Sequence, residues 1–523
     1  MKGDRSAWWR DGLIALVAFI SVVAYVLAAR SLDATGFPLD DAWIHQTYAR
    51  NLAERGEWAF LPGEPSAAST SPLYTALLAT GYALDVPFFA WSFTLGALTL
   101  ACAGWVNARL AAMLCPHVRS APLWTGLFTV LAWHMIWAAA SGMETMLFSL
   151  LALVVVWRVW HDHLGGDTDS TDSTALRRGA ITGLAGAMLT LARPEGIALV
   201  GLAGIFSVFT VTQRDRRDVR GAVAWSAGMV LGWLIGVAPY AALNYDLTGH
   251  LLPNTASAKQ AEYASVLALP LLDRIWAMLK PLAAGGHVVL LPGAAAAAYA
   301  LVRRTHWQRL VILGLPLVWA AAHVLLYALR LPAPYQHGRY AQPVLPVAIL
   351  YGVGGTLWLV QRNADRLVPR VLARTLALSS LAVTLGFWAM GAQAYARDVR
   401  IINTEMVATA QWIDANLPDD ALLAVHDIGA LGYYAPRPIL DLAGLVTPEV
   451  VPIIRDRDAL MSLMCERGAR YLMVLPDQRP TEPDDPRLGG EPVFTTGAPY
   501  APAAGSGNMA VYALDWTGGC AAQ

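Results

Sequence analysis

Long apolar stretches separated by short polar segments dominate the chain up to about residue 395. A helix needs about 20 apolar residues to cross the hydrocarbon core of a bilayer. Several Trp and Tyr residues lie near the ends of these stretches, as is typical of a membrane–water interface. The pattern predicts transmembrane helices over residues 13–30, 72–87, 91–114, 121–140, 143–160, 178–193, 196–212, 221–243, 284–302, 308–329, 341–360 and 371–393.

The arginine content of the loops predicts the orientation of these helices. Four arginine-rich loops are expected in the cytoplasm, namely 158–178, 213–220, 303–309 and 361–374. The first outer loop, 31–71, and everything after about residue 394 then lie outside. Because 72–87 is short, residues 72–114 are expected to cross once, and the expected total is about 11–13 transmembrane helices. The first helix has a basic flank and is interpreted as an uncleaved signal anchor.

After residue 395, the long apolar stretches end and short helix-like and strand-like patterns alternate. "TEMVATAQWIDANLP" and "RDALMSLMCERGA" are typical of helices, whereas "ALLAVHD" and "RYLMVLPD" indicate short buried strands. Alternating helices and strands predict a small α/β domain, 396–523, on the outer face of an all-α membrane domain, 1–395. This smaller domain could serve as a lid or as an accessory binding domain.

Composition agrees with a polytopic membrane protein. The chain has 523 residues, of which 56% are hydrophobic and 14% charged, and soluble chains carry nearly twice that charge. A net charge of −1 without a basic stripe argues against nucleic-acid binding. Four cysteines are too few for a disulfide framework, but Cys465 and Cys520 could pair in an oxidising compartment.

Two adjacent carboxylates, Asp40 and Asp41, begin an amphipathic helix in the first outer loop. One of them could simply cap that helix. His45 and Tyr48 follow Asp41 at i+4 and i+7, so these three side chains share one helix face. A carboxylate on this face could act as a general base that accepts the proton of an alcohol.

Further ionisable residues lie in the other loops that are expected outside. Charged groups near membrane depth are costly, so they usually have a function. A single arginine could be a snorkelling anchor, but three cations on the side that carries the acids indicate a phosphate-binding pocket. The candidate substrate-binding residues are Arg193, Lys259, Arg339, His337, Tyr340, Glu144, Glu195, His45 and Tyr48.

These motifs resemble those of the GT-C glycosyltransferases, a superfamily that uses polyprenyl-phosphate sugars as donors. "LDDAWIHQTYARNLAERGEWAF" is similar to their first outer loop, and "PGEPSAASTSPLY", "GMET", "RPEG", "PNTASAK" and "HGRYAQPVLP" are similar to blocks of the arabinofuranosyltransferase-like branch. Protein O-mannosyltransferases and lipid A aminoarabinose transferases belong to the same group. The resemblance covers roughly residues 1–395. A second Asp stands where many mannosyltransferases have Asp-Glu.

The resemblance implies a GT-C fold and inverting transfer of a hexose or pentose from a polyprenyl-phosphate donor to a hydroxyl of a glycan, lipid or protein. It favours Asp40 as the base and Asp41 as a supporting acid, and both residues stay candidates. Arg193, Lys259 and Arg339 would bind the donor phosphate on the outer face of a bacterial cytoplasmic membrane. No cofactor is required, although Asp40 and Asp41 could hold Mg²⁺ or Mn²⁺. The alternative is a transporter or lipid flippase, which would also carry intramembrane charges.

Overall fold

The computed structural model describes residues 5–66, 68–164, 172–211, 216–249, 251 and 255–520, so parts of the predicted loops 158–178 and 213–220 lie outside the described residues. The protein is mostly helical. Its helices are α1 (Arg5–Arg30), α2 (Asp41–Arg55), α3 (Pro72–Ala83), α4 (Phe88–Leu114), α5 (Ala121–Leu131), α6 (Trp133–Ala140), α7 (Thr145–Leu164), α8 (Asp172–Ala192), α9 (Ile197–Val211), α10 (Arg216–Thr248), α11 (Thr255–Glu262), α12 (Ala264–Leu267), α13 (Leu271–Ala284), α14 (Leu291–Arg304), α15 (Trp307–Arg330), α16 (Tyr335–Gly338), α17 (Leu345–Arg362), α18 (Leu367–Ile402), α19 (Ala408–Asn416), α20 (Gly429–Tyr434), α21 (Arg457–Glu466) and α22 (Tyr500–Ala503).

Apolar helices confirm that this is an integral membrane protein. Within the described ranges, seven helices are long and apolar enough to span a bilayer, and nine if each of two bent pairs counts as one span. The bent pairs are α5 with α6 and α13 with α14. At 12 residues, α3 is too short to cross. The larger expected number also counted α8 and α9, whose crossing stays a prediction.

Glycines let two of these helices approach closely. A Cβ placed on Gly179 or Gly183 of α8 would lie 1.9–2.0 Å from a backbone oxygen of α10. A Cβ on Gly228 or Gly232 of α10 would lie 2.0–2.2 Å from a backbone oxygen of α8. Small residues spaced by four are a common device for helix packing in membranes, where lipid gives no hydrophobic drive for association. The pairing fixes α8, whose end leads directly into the Arg193 turn.

The C-terminal part confirms the expected small α/β fold. Its strands are β3 (Leu423–Val425), β4 (Ile439–Asp441), β5 (Tyr471–Val474), β6 (Phe494–Thr495) and β7 (Ala510–Ala513), and β1 (Ala59–Leu61) and β2 (Glu64–Pro65) form a separate hairpin in the first outer loop. The sheet order is β4-β3-β5-β7-β6, with β3 parallel to β4 and β5 and with β7 antiparallel to its neighbours.

The two faces of this sheet have different partners. Ala424, Leu440 and Leu472 pack with Leu460, Met461 and Met464 of α21 in a core of their own. Leu423, Val425 and Met473 point to the other face and join the large core that continues into the membrane domain. Alternation along each strand thus connects the small domain to the helices. The boundary near residue 395 stays a prediction, since α18 runs unbroken through it to Ile402.

Cys465 and Cys520 form a disulfide across a sequence separation of 55 residues, with a Cα–Cα distance of 5.4 Å. The bond ties the end of α21 to the C-terminal segment. Disulfides persist in oxidising compartments. The bond is therefore relevant to the question of which side of the membrane this domain occupies.

We expect Cys465→Ser to lower the free energy of unfolding of the C-terminal domain by about 2–4 kcal/mol, because the crosslink restricts the unfolded chain. Thermal unfolding of the purified protein, with and without reductant, measures this change. Cys102→Ser is the control, since Cys102 is a free cysteine. Equal unfolding of the oxidised and reduced wild-type protein would contradict the prediction.

Candidate active site

A cavity of about 280 Å³ lies where the start of α2 meets the segments that carry Arg193, Lys259 and Arg339, and it contains most of the sequence-predicted site residues. Helix α2 contributes Asp41 and His45, and α11 contributes Lys259. Leu445 of the C-terminal domain completes the wall. The predicted residues that line it are Asp41, His45, Glu144, Arg193, Glu195, Lys259, Arg339 and Tyr340.

Asp41 is the counter-ion of two cations in this cavity. Its Oδ2 lies 2.6 Å from Arg339 Nη2 and 3.3 Å from Lys259 Nζ. Burial alone would raise the pKa of Asp41, but the Lys259 ammonium and the Arg339 guanidinium hold that pKa far below its usual value. Asp41 is therefore ionised, and it offsets one of the two positive charges beside it.

A second ion-pair group forms the neighbouring wall. Arg193 Nη1 donates to Glu144 Oε1 at 2.7 Å, and Arg193 Nε donates to Glu195 Oε1. His45 Nε2 lies 3.2 Å from Glu144 Oε2. Burial by itself raises the pKa of Glu144, but Arg193 and His45 lower it to about 2. These interactions fix the direction of Arg193, which emerges between α8 and α9.

Arg339 retains hydrogen-bonding capacity that the protein does not use. Its side chain is only 2% exposed, and its Nη2 donates to Asp41 and to the Tyr340 hydroxyl at 2.9 Å. Within the described part of the chain, no acceptor contacts its Nε or Nη1. A buried guanidinium with unused N–H donors can form charge-assisted hydrogen bonds to an oxyanion.

Tyr340 lies at the centre of the cations. Arg193 and Arg339 lie over its ring, with their guanidinium carbons 5.1 and 4.8 Å from the centroid. Lys259 Nζ is 3.5 Å from its hydroxyl. An aromatic ring attracts cations through its face, so Tyr340 helps to hold three like charges close together.

Asp40 points away from the cavity. Its two carboxylate oxygens accept hydrogen bonds from the backbone N–H groups of Gly429 and Ala430, at 2.7 and 2.8 Å. Burial and the neighbouring Asp427 carboxylate raise the pKa of Asp40 to about 7, against the effect of these hydrogen bonds. Asp40 thus connects the start of α2 to the start of α20 in the C-terminal domain.

Two other predicted residues also lie outside the cavity lining. The Tyr48 hydroxyl is 2.6 Å from Ser66 Oγ and accepts from the backbone N–H of Ala68 at 3.0 Å, so it holds the loop before α3. His337 turns to the opposite side of its turn, where its Nε2 lies 2.8 Å from Asp398 Oδ2.

Tyr327, Arg330 and Leu445 are among the lining residues that the sequence did not predict. Tyr327 accepts a hydrogen bond from Arg193 Nη2 at 2.7 Å, and Arg330 follows one turn later on α15. Tyr327 lies within an apolar span, and one other polar residue, His323, precedes it by one turn. That spacing was the only sequence signal for a polar helix face here. In the structure His323 Nε2 lies 2.9 Å from the Tyr340 carbonyl oxygen. Leu445 gave no signal, because only the fold brings the C-terminal domain to the cavity.

Comparison with solved structures identifies the fold. ArnT from Cupriavidus metallidurans in the apo state is 16% identical, with a TM-score of 0.58, and the match covers 96% of this chain and 98% of that one. ArnT bound to undecaprenyl phosphate is 14% identical, with a TM-score of 0.52, and the match covers 98% and 99%. The oligosaccharyltransferase of Archaeoglobus fulgidus in the apo form is 11% identical, with a TM-score of 0.60 over 90% and 70%.

Both proteins are GT-C glycosyltransferases, and this chain has the GT-C fold. A domain of unknown function, DUF8728, matches residues 392–514. A search of curated proteins finds no match.

Asp40 and Asp41 do not fit a divalent cation as they are arranged here. One A. fulgidus structure is a complex with zinc and sulfate, so the fold can accompany such an ion. In this chain both oxygens of Asp40 accept backbone hydrogen bonds, and Oδ2 of Asp41 contacts two cations that would repel a metal. No cluster of three or more His, Cys, Asp or Glu residues suited to a metal occurs among the described residues.

Glu144→Gln tests the second ion-pair group. A lowered pKa in the folded protein contributes stability that is fully present above the unfolded value, about 4.3, and is lost as pH falls toward 2. We expect the variant to be less stable by about 2–3 kcal/mol at neutral pH. The gap from wild type should shrink as pH falls below about 4, as thermal unfolding would measure. A gap that does not change with pH would contradict the ion-pair explanation.

Proposed function

We propose that this protein is a membrane glycosyltransferase that moves a sugar from a polyprenyl-phosphate donor to an acceptor hydroxyl, with inversion at the sugar C1. One observation carries the proposal: a carboxylate, Asp41, shares a cavity with the cations Arg339, Lys259 and Arg193 at the rim of the membrane helices. The GT-C fold supports this kind of reaction, and the bound undecaprenyl phosphate in ArnT supports this kind of donor.

The cations are suited to the donor phosphate. Arg339 could donate to a phosphate oxygen from one of its spare nitrogens, Nε or Nη1, and Lys259 would act as a point charge beside it. Arg193 and the Tyr340 hydroxyl lie close enough to complete the group. Positive charge fixed before the reaction stabilises the negative charge that grows on the leaving phosphate.

An apolar groove is suited to the polyprenyl tail. It has a volume of about 480 Å³ and lies between α9 and α10, where Ile197, Ile205 and Val230 are exposed. Helix α9 begins directly after the turn Pro194–Gly196, which follows Arg193. A lipid in this groove could therefore place its phosphate at the cations.

Asp41 is the better candidate for the base, because Asp40 is occupied by the C-terminal domain. An arriving phosphate would compete with Asp41 for Arg339 and Lys259. Loss of these partners would raise the pKa of Asp41 and turn a counter-ion into a proton acceptor. Donor binding would in this way activate the base.

The proposed step is a single displacement. The acceptor oxygen forms a bond to C1 of the sugar while the bond from C1 to the phosphate oxygen breaks. The electron pair of that bond leaves with polyprenyl phosphate, and the acceptor proton passes to Asp41. The products are the glycoside and polyprenyl phosphate, so no oxidant or further co-substrate is needed. Whether the sugar is a hexose or a pentose is left to the donor assay.

Two features support the side of the membrane that we propose for the cavity. The Cys465–Cys520 disulfide favours an oxidising compartment for the C-terminal domain, and the arginine-rich loops favour the cytoplasm for the opposite ends of the helices. We therefore propose that the cavity opens on the outer face of a bacterial cytoplasmic membrane. The acids and cations lie at helix ends below this domain, whereas a transporter would place them near the midplane.

Asp41→Asn and Asp40→Asn separate the two carboxylates. We expect Asp41→Asn to lower transfer from a polyprenyl-phosphate sugar about 10²–10⁴-fold, as loss of a general base does. It should not weaken binding of undecaprenyl phosphate, because the cations lose a competitor. Asp40→Asn should lower the unfolding temperature and retain transfer.

Rates from radiolabelled donors of several sugars, with binding measured in nanodiscs, test these outcomes. Asp11→Asn is the matched control, since Asp11 also pairs with an arginine, Arg109, but at a distant site. Transfer by Asp41→Asn at the wild-type rate would exclude Asp41 as the base. Absence of transfer from every donor together with no binding of undecaprenyl phosphate would contradict the proposed function.

Arg339→Met tests the phosphate site. Loss of a charge-assisted hydrogen bond is worth about 1.5–3 kcal/mol, which corresponds to about 10–100-fold in affinity for undecaprenyl phosphate. Arg109→Met is the control, because Arg109 pairs with Asp11 and does not line the cavity. Equal affinities of wild type and Arg339→Met would contradict the assignment of this guanidinium to the phosphate.

A further inference from the structure

The turn that carries Arg339 has an unusual backbone. Gln336, His337 and Gly338 have φ values of 53°, 57° and 70°, so three successive residues are in the left-handed region. Glycine adopts this conformation freely, but residues with a Cβ rarely do. Gly338 also lies against Pro281, where an added Cβ would be 3.0 Å from the proline ring. Something must hold Gln336 and His337 in place.

The interactions of His337 provide this restraint. Its Nε2 lies 2.8 Å from Asp398 Oδ2 on α18, and the same oxygen accepts a hydrogen bond from Trp137 Nε1 at 2.9 Å. The rings of Trp133 and Trp137 contact the His337 ring edge to face, with centroids 5.1 and 5.3 Å away. His337 is thus fixed on the side of the turn that faces away from the cavity.

The same turn directs the phosphate site on its other side. Arg339 and Tyr340 follow Gly338 immediately, and both line the cavity. If the turn relaxed to an ordinary conformation, the direction of the chain into Arg339 would change and the Arg339–Asp41 contact would be lost. Strained backbone persists only where its surroundings determine it, and such strain clusters at ligand sites.

We propose that Asp398 is a positioning residue: through His337 it holds the left-handed turn 336–338 and so aims Arg339 and Tyr340 into the cavity. Asp398 lines no part of that cavity and has no role in the chemistry proposed above. The effect of Asp398 on ligand binding rests on the proposed function, whereas its effect on the turn does not.

Glycine at position 336 provides the test, because it removes the conformational cost at one of the two strained positions without touching Asp398. We expect Asp398→Ala to weaken binding of undecaprenyl phosphate about tenfold or more, and to speed amide hydrogen exchange in residues 335–340. Adding Gln336→Gly to Asp398→Ala should restore both readouts to within about threefold of wild type. Adding Gln336→Ala should restore neither, because alanine loses the same side chain but keeps the Cβ.

Several outcomes would overturn the proposal. One is that Asp398→Ala binds undecaprenyl phosphate and exchanges its amide hydrogens like wild type. Another is that glycine and alanine at position 336 have the same effect when combined with Asp398→Ala. Asp11→Ala is the control, because it removes an aspartate that is also paired with a basic side chain, Arg109, but at a distant site. If Asp398→Ala does not fold, Gln336→Gly alone should slow exchange in the turn, and no such slowing would also overturn the proposal. Failure of wild type to bind undecaprenyl phosphate would contradict the proposed function instead, since the exchange rates still test the turn.

Discussion

Compensation of buried charge organises this protein. Asp41, Lys259 and Arg339 come from three distant parts of the chain, and each would be costly to bury alone. Together they form a contact that holds α2, α11 and the turn before α17 around one cavity. Asp40, the neighbouring residue, makes the complementary connection by holding the C-terminal domain over the same helix start. The two adjacent carboxylates therefore have different roles: Asp41 pairs with the cations of the cavity, and Asp40 connects the two domains.

A site whose acids offset its cations can be stable when empty and can exchange partners when occupied. We propose that the anionic headgroup of a lipid replaces Asp41 as counter-ion of Arg339 and Lys259, while the apolar groove beside α9 receives the tail. In the proposed reaction, this exchange links donor binding to activation of the base. It also explains why a carboxylate with a strongly lowered pKa can still be suited to accept a proton later in the reaction.

The sequence predicted the membrane helices, the α/β domain and most of the charged residues of the cavity, because long apolar runs and charges near membrane depth are local signals. It could not decide between Asp40 and Asp41, since consecutive helix residues point about 100° apart and only the packed partner shows which faces the cavity. His337 was placed with the substrate because the left-handed turn that reverses it leaves no mark in hydropathy. The pairing of Cys465 with Cys520 and the approach of Leu445 likewise depend on contacts between distant segments.

The central claim is that Asp41 occupies the place of a donor phosphate as partner of Arg339 and Lys259. A cryo-EM structure of the protein with undecaprenyl phosphate in nanodiscs tests it most directly. The account predicts phosphate density within hydrogen-bond distance of Arg339 and Lys259, with the Asp41 carboxylate displaced from both. Phosphate density elsewhere, with the contacts of Asp41 to Arg339 and Lys259 intact, would contradict it.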